Sequence, residues 1–139
     1  MLEDADLAED ARADGFTLPP ALGRARGLGL ALLGPWALLD GPDHRRAAAG
    51  LAARYPARRL VPFARRLDAD DVACFERGGP QGPDGPRVLV IHDFASPGWE
   101  LDATHAGFWD WLRAAVDDLI AAERAAAGST AGVAGEERA

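Results

Sequence analysis

Three short apolar runs rich in Val, Ile and Phe occupy the centre of the chain: RLVPFARR, DVACFE and RVLVIHDF. Turn signals separate them, so each reads as a strand. In the third run, strand alternation puts Val88, Val90, His92 and Phe94 on one face and Leu89, Ile91 and Asp93 on the other. Both faces are apolar for most of its length, which predicts a central strand. Pro62 has no donor for a ladder, so its strand is expected at an edge or to carry a bulge. The first connection, LDAD, is short enough for a tight turn. The second, RGGPQGPDGP, is long for a hairpin and is expected to be a mobile loop.

A different period governs the flanks. From Phe108, apolar residues recur as Phe108, Leu112, Ala115 and Leu119, with Trp109, Val116 and Ile120 beside them and Asp110, Arg113, Asp117 and Arg124 away from that stripe. This spacing predicts a helix packed on the sheet. A weaker apolar face, Ala47, Ala48, Leu51 and Ala52, predicts a helix from Asp43 to Arg54, with Asp43 as cap and Tyr55-Pro56 as its end. Pro19 and Pro20 suit a helix start in Leu18 to Leu33, although Gly23, Gly27 and Gly29 oppose a long one. PWALLD reads as a short strand. Residues 1–17 form a weakly ordered acidic lead-in, 18–126 a single domain, and 127–139 a tail with too little apolar content to fold.

With 139 residues and 48% hydrophobic content, the chain can build one real core. Cys74 has no partner within the chain and lies in an apolar run, so it reads as a small buried hydrophobe in a reducing compartment. The acidic N-terminus does not resemble a secretory signal, and the run GLGLALLGPWALL is short and broken by Pro35. A cytoplasmic protein with no membrane segment is expected. The net charge of -7 disfavours nucleic acid and suits a basic partner, although Arg45 to Arg66 holds seven arginines and no acid.

Several residue groups invite a chemical reading. Asp68, Asp70 and Asp71 present alternating carboxylates, but the loop lacks the spaced donors, glycine and distal Glu of a calcium hand, so turn chemistry is expected. His92 and Asp93 are adjacent on a strand and point to opposite faces, so they cannot form a dyad with each other. Ser96 lacks a nucleophile elbow. His92, His105, Cys74, Glu100 and Asp102 match no compact zinc spacing. Gly27, Gly29 and Gly34 are followed by no Lys, so they form no phosphate cradle. Arg58, Arg59, Arg65 and Arg66 are expected to pair with Asp68, Asp70 and Asp71. Trp99, after Pro97-Gly98, either presents an aromatic anchor to a partner or folds back as a lid on the sheet.

Taken together and in this order, RLVPFARRLDADDVACFE, RVLVIHDFASPGWE and FWDWLRAAVDDLI resemble the SUKH superfamily, in its bacterial branch related to the yeast Smi/Knr cell-wall-assembly regulators. The similarity runs from GPWALL to Ile120. Its specific parts are Pro62 to Arg65, the acidic turn before Val72, and Gly98-Trp99-Glu100; Ala69 stands where the family often has a polar residue. The resemblance implies an α+β fold, a mostly antiparallel sheet with packed helices, and a non-catalytic binding role without a cofactor or bound metal. Many bacterial members are immunity proteins that neutralise a cognate polymorphic toxin, often a nuclease, whereas fungal relatives are regulatory interaction proteins. The expected contact residues are Asp68, Asp70, Asp71, Glu76, Trp99 and Glu100. The alternatives are a regulator of envelope assembly and a metal-dependent hydrolase built from His92, Asp93 and the acid cluster.

Overall fold

The computed structural model describes residues 16–138, with side chains described to Gly128; residues 1–15 of the acidic lead-in lie outside the described residues. The chain is α+β: three helices and a six-stranded antiparallel sheet are described. In order, these are α1 (Pro20–Gly27), β1 (Leu32–Leu33), β2 (Trp36–Leu38), α2 (Gly41–Arg54), β3 (Leu60–Arg66), β4 (Asp71–Glu76), β5 (Gln81–Gly82), β6 (Gly85–Pro86), β7 (Val88–His92), β8 (Leu101–His105) and α3 (Phe108–Arg138). The main sheet runs β1-β2-β3-β4-β7-β8, while β5 and β6 form a separate two-stranded ribbon. The Gly- and Pro-rich connection, expected as a plain loop, thus carries a small hairpin of its own.

The sheet has two apolar faces because its central strands are apolar on both sides. Val88 and Val90 join Val61, Phe63, Ala73 and Phe75 on one face, under Phe108, Trp111 and Ala115 of α3. Leu89 and Ile91 join Val72 and Cys74 on the other, under Leu51 and Tyr55. The predicted split of β7 is therefore realised, with β4 and β8 as its neighbours. Burial pushes the Cys74 thiol far above its ordinary pKa and leaves it an inert part of the core.

Pro62 is not on an edge, because β3 lies between β2 and β4. It is accommodated by a bulge: Pro62 faces Cys74 and Ala64 faces Ala73, so Phe63 is the extra residue. Consecutive Phe63 and Ala64 both reach the same core cluster as a result. The Pro62 carbonyl accepts from Nδ1 of buried His44 at 2.8 Å, so that ring nitrogen carries the proton.

The helices depart from the sequence reading at their ends. Helix α1 stops at Gly27 and the chain turns through Gly29 at φ +81 before β1. Helix α2 begins at Gly41 because Asp40, not Asp43, is its cap: its side chain accepts from the Asp43 N–H at 2.8 Å. Helix α3 continues past Ala127, where the apolar stripe gives out, to Arg138. Its buried stripe is Phe108, Trp111 and Ala115, while Trp109, Val116 and Ile120 remain partly in solvent. Phe16, assigned to the lead-in, instead stacks on Phe75 at 6.1 Å and belongs to the core.

Candidate functional site: a braced aromatic loop at the sheet edge

The loop from Asp93 to Glu100 leaves central strand β7 and returns as edge strand β8, a strand the sequence reading did not identify. Strand β8 is legible only through its pairing, since Leu101, Asp102 and Thr104 are exposed and carry no apolar alternation. A bulge at its start sets Ile91 opposite Leu101 and Val90 opposite Ala103, leaving Asp102 as the extra residue. Leu101 and Asp102 consequently both face solvent.

Three residues from the end of α2 and the turn after it clamp this loop. Arg54 makes a two-pronged contact with Asp93, Nε to Oδ1 and Nη2 to Oδ2, each at 2.6 Å. Tyr55 donates its hydroxyl to the Ala95 carbonyl at 2.7 Å. Arg58 donates Nε to Glu100 Oε2 at 2.5 Å, and the other oxygen of Glu100 accepts the Gly98 N–H at 2.6 Å. Glu100 and Asp93 are both buried. The Arg58 guanidinium holds the Glu100 carboxyl below its usual range despite the opposing cost of burial.

What the clamp presents is aromatic. Trp99 is 81% exposed and Phe94 67% exposed. Trp99 is therefore no lid on the sheet. Phe94 takes φ +67, the left-handed region that costs a side-chain-bearing residue about 1–2 kcal/mol. Two contacts hold it there: Asp93 Oδ1 accepts its N–H at 2.8 Å, and Arg54 lies 4.1 Å from its ring centroid. A bulky residue kept in a left-handed conformation without being buried is a mark of a working surface more than of a packing need.

The acids divide into spent and available groups. Glu76 pairs with Arg87, and Asp68 with Arg66 at 2.8 Å. Glu100 is internal, so the expectation that it meets a partner is corrected: its two oxygens complete the loop. Asp71 accepts from His92 Nδ1 at 2.8 Å, and Asp70 offers its backbone carbonyl to the Asp93 N–H at 3.0 Å. The hydrogen bond from Asp71 first, with the charges of Asp71, Asp70 and Asp102 adding to it, raises the His92 pKa against the opposing cost of burial. Of the expected contact residues, Asp70 and Asp71 meet the β7 end of this loop, at Asp93 and His92, and Trp99 lies on the loop itself; Asp68 and Glu76 are engaged elsewhere. Phe94, Leu101 and Asp102 are additions that only the bulge and the left-handed turn reveal.

His92 and Asp93 do part to opposite sides, one to Asp71 and the other to Arg54. Of the arginines expected to pair with the acidic turn, only Arg66 does so among the described residues, and it also reaches Asp118 of α3 at 3.0 Å. No group of three or more His, Cys, Asp or Glu is placed to hold a metal ion among the described residues. No helix among them is long and apolar enough to cross a membrane. Compared with protein-family models, curated proteins and solved structures, the chain matches none.

Proposed function

We propose that this chain is a non-catalytic protein-binding domain, and that it serves as a cytoplasmic immunity protein of the SUKH type, occluding a basic toxin domain such as a nuclease. The observation that carries the binding role is the loop itself: Trp99 and Phe94 exposed, on a backbone clamped by Arg54, Tyr55 and Arg58. Rigid aromatic anchors lose little conformational entropy on docking and dominate interface energetics. Asp70 and Asp102, both exposed and both close enough to His92 at the start of the loop to raise its pKa, supply the sign of charge that steers a basic partner and penalises an acidic one. The immunity role rests on the resemblance of the three sequence blocks to that superfamily.

Co-expression with toxin domains encoded beside the gene tests both parts. Protection from one of them, lost in Trp99→Ala and Phe94→Ala proteins that melt like the parent, is the expected outcome. Protection that survives both substitutions would move the interface elsewhere, and failure to bind any such toxin would sink the immunity role.

A further inference from the structure

A second surface on the α2 side of the sheet has the opposite charge. A cleft of about 290 Å³ opens between α2 and the far ends of β3 and β4; its walls are Arg58, Arg59 and Arg77, and its floor is Ala48, Leu51, Ala52 and Leu60. None of its lining residues among those described is acidic, in a chain of net charge -7. Among the described residues, the carboxylates that border it are already taken, Glu76 by Arg87 and Glu100 by Arg58. Arg59 is exposed and has no carboxylate partner among the described residues. Arg77 has contacts of its own, including Phe16, whose ring centroid lies 5.8 Å away, and it contributes field more than free donors.

We propose that this cleft binds a phosphate monoester with a small apolar group, the phosphate between Arg58 and Arg59 and the apolar part on Ala52 and Leu60. Guanidinium groups match phosphate oxygens in pairs and are weakly hydrated, so they release water to such an anion readily. Arg58 uses Nε on Glu100, which leaves its two terminal nitrogens for the ligand. The same side chain thereby joins the cleft to the loop: an anion on its terminal nitrogens shares the Arg58 charge with Glu100, and Glu100 holds the Gly98 N–H next to Trp99. Occupancy of the cleft should therefore be felt at Trp99.

Phenyl phosphate and inorganic phosphate are suitable probes, titrated into the full chain by calorimetry at low and high salt. Phenyl phosphate is expected to saturate one site and bind several-fold tighter than inorganic phosphate. Arg59→Ala should weaken it about tenfold, the loss typical of one charge-assisted hydrogen bond. Arg113→Ala, which removes an exposed arginine on α3, should leave it unchanged. A Trp99→Phe protein should lose the fluorescence change that phenyl phosphate produces in the parent while still binding it. Equal affinity for the two probes, equal losses in the Arg59 and Arg113 variants, or no saturable binding would each overturn the proposal. A fluorescence change that persists without Trp99 would overturn the link to the loop. These readouts need no protein partner, so they fail or succeed independently of the immunity role.

Discussion

Two sets of aromatic side chains on this molecule have opposite fates. Phe63, Phe75, Phe108 and Trp111 are fully buried and interlock, with Phe63 to Phe75 at 4.3 Å and Phe63 to Trp111 edge-on at 4.9 Å. Trp36 caps that cluster edge-on to Trp111, and its indole N–H is satisfied by Asp118 at 2.9 Å. Phe94 and Trp99 stand in solvent on a loop held by charge and hydrogen bonds. In the first set, aromatic area is spent on folding. In the second it is withheld, and buried Asp93 and Glu100 fix the backbone in place of apolar packing. Exposed aromatics whose support is polar are available to a partner without weakening the fold.

The largest test of that contrast is a pair of truncations. Trp111→Ala should lose roughly 3–5 kcal/mol by urea denaturation, the usual cost of emptying a buried aromatic site. Trp99→Ala should stay within about 0.5 kcal/mol of the parent, as surface changes do. A similar large loss at Trp99 would mean that the loop is part of the core. Removing the support comes next. Asp93→Ala leaves the Arg54 guanidinium and the Phe94 N–H without their acceptor; because Arg54 is partly in water, a loss of roughly 1–3 kcal/mol is expected. Hydrogen exchange should show the Phe94 and Ala95 amides opening first.

Smaller and opposite in sign is Phe94→Gly. It relieves the left-handed backbone and gives up the Arg54 contact of a mostly exposed ring, so stability should hold or rise by up to about 1 kcal/mol, read from the urea midpoint. Binding to the partner should nonetheless fall. A clear loss of stability would show that the ring supports the loop instead of serving it. The smallest effect is on pH. Asp71 raises the His92 pKa, so the stabilisation from this pair is fully present below the unfolded value near 6.5 and is lost as pH rises through the higher folded value. His105 shifts downward because it is partly buried. A ring titration by NMR should place His92 above His105, and Asp71→Asn should bring His92 down.

The fold was legible where side-chain period and burial coincide. The three central runs became β3, β4 and β7, and the split of Val88 and Val90 from Leu89 and Ile91 follows from alternation alone. Trp111 escaped the helix reading because the stripe was drawn through Leu112, one residue on; neighbouring residues of a helix differ by about 100° and only packing decides which faces inward. Strand β8 escaped because its ladder needs no apolar pattern when one side is open to solvent. Trp99 and Asp70 were legible as surface groups, whereas Asp71, largely covered and held by His92, and Glu100 were not legible as internal ones: a carboxylate looks the same in sequence whether water, His92 or Arg58 solvates it.

By itself, the sequence determined the central strands, the amphipathic helix that packs on them, and the separation of His92 from Asp93, because these follow from short-range periodicity. Only the tertiary structure decided that Asp93 and Glu100 turn inward to Arg54 and Arg58, and that Phe94 turns outward at φ +67. Those choices depend on partners some forty residues away in the chain, which no local pattern encodes. At this loop, long-range ion pairs offset the cost of one strained residue and determine which side chains reach solvent.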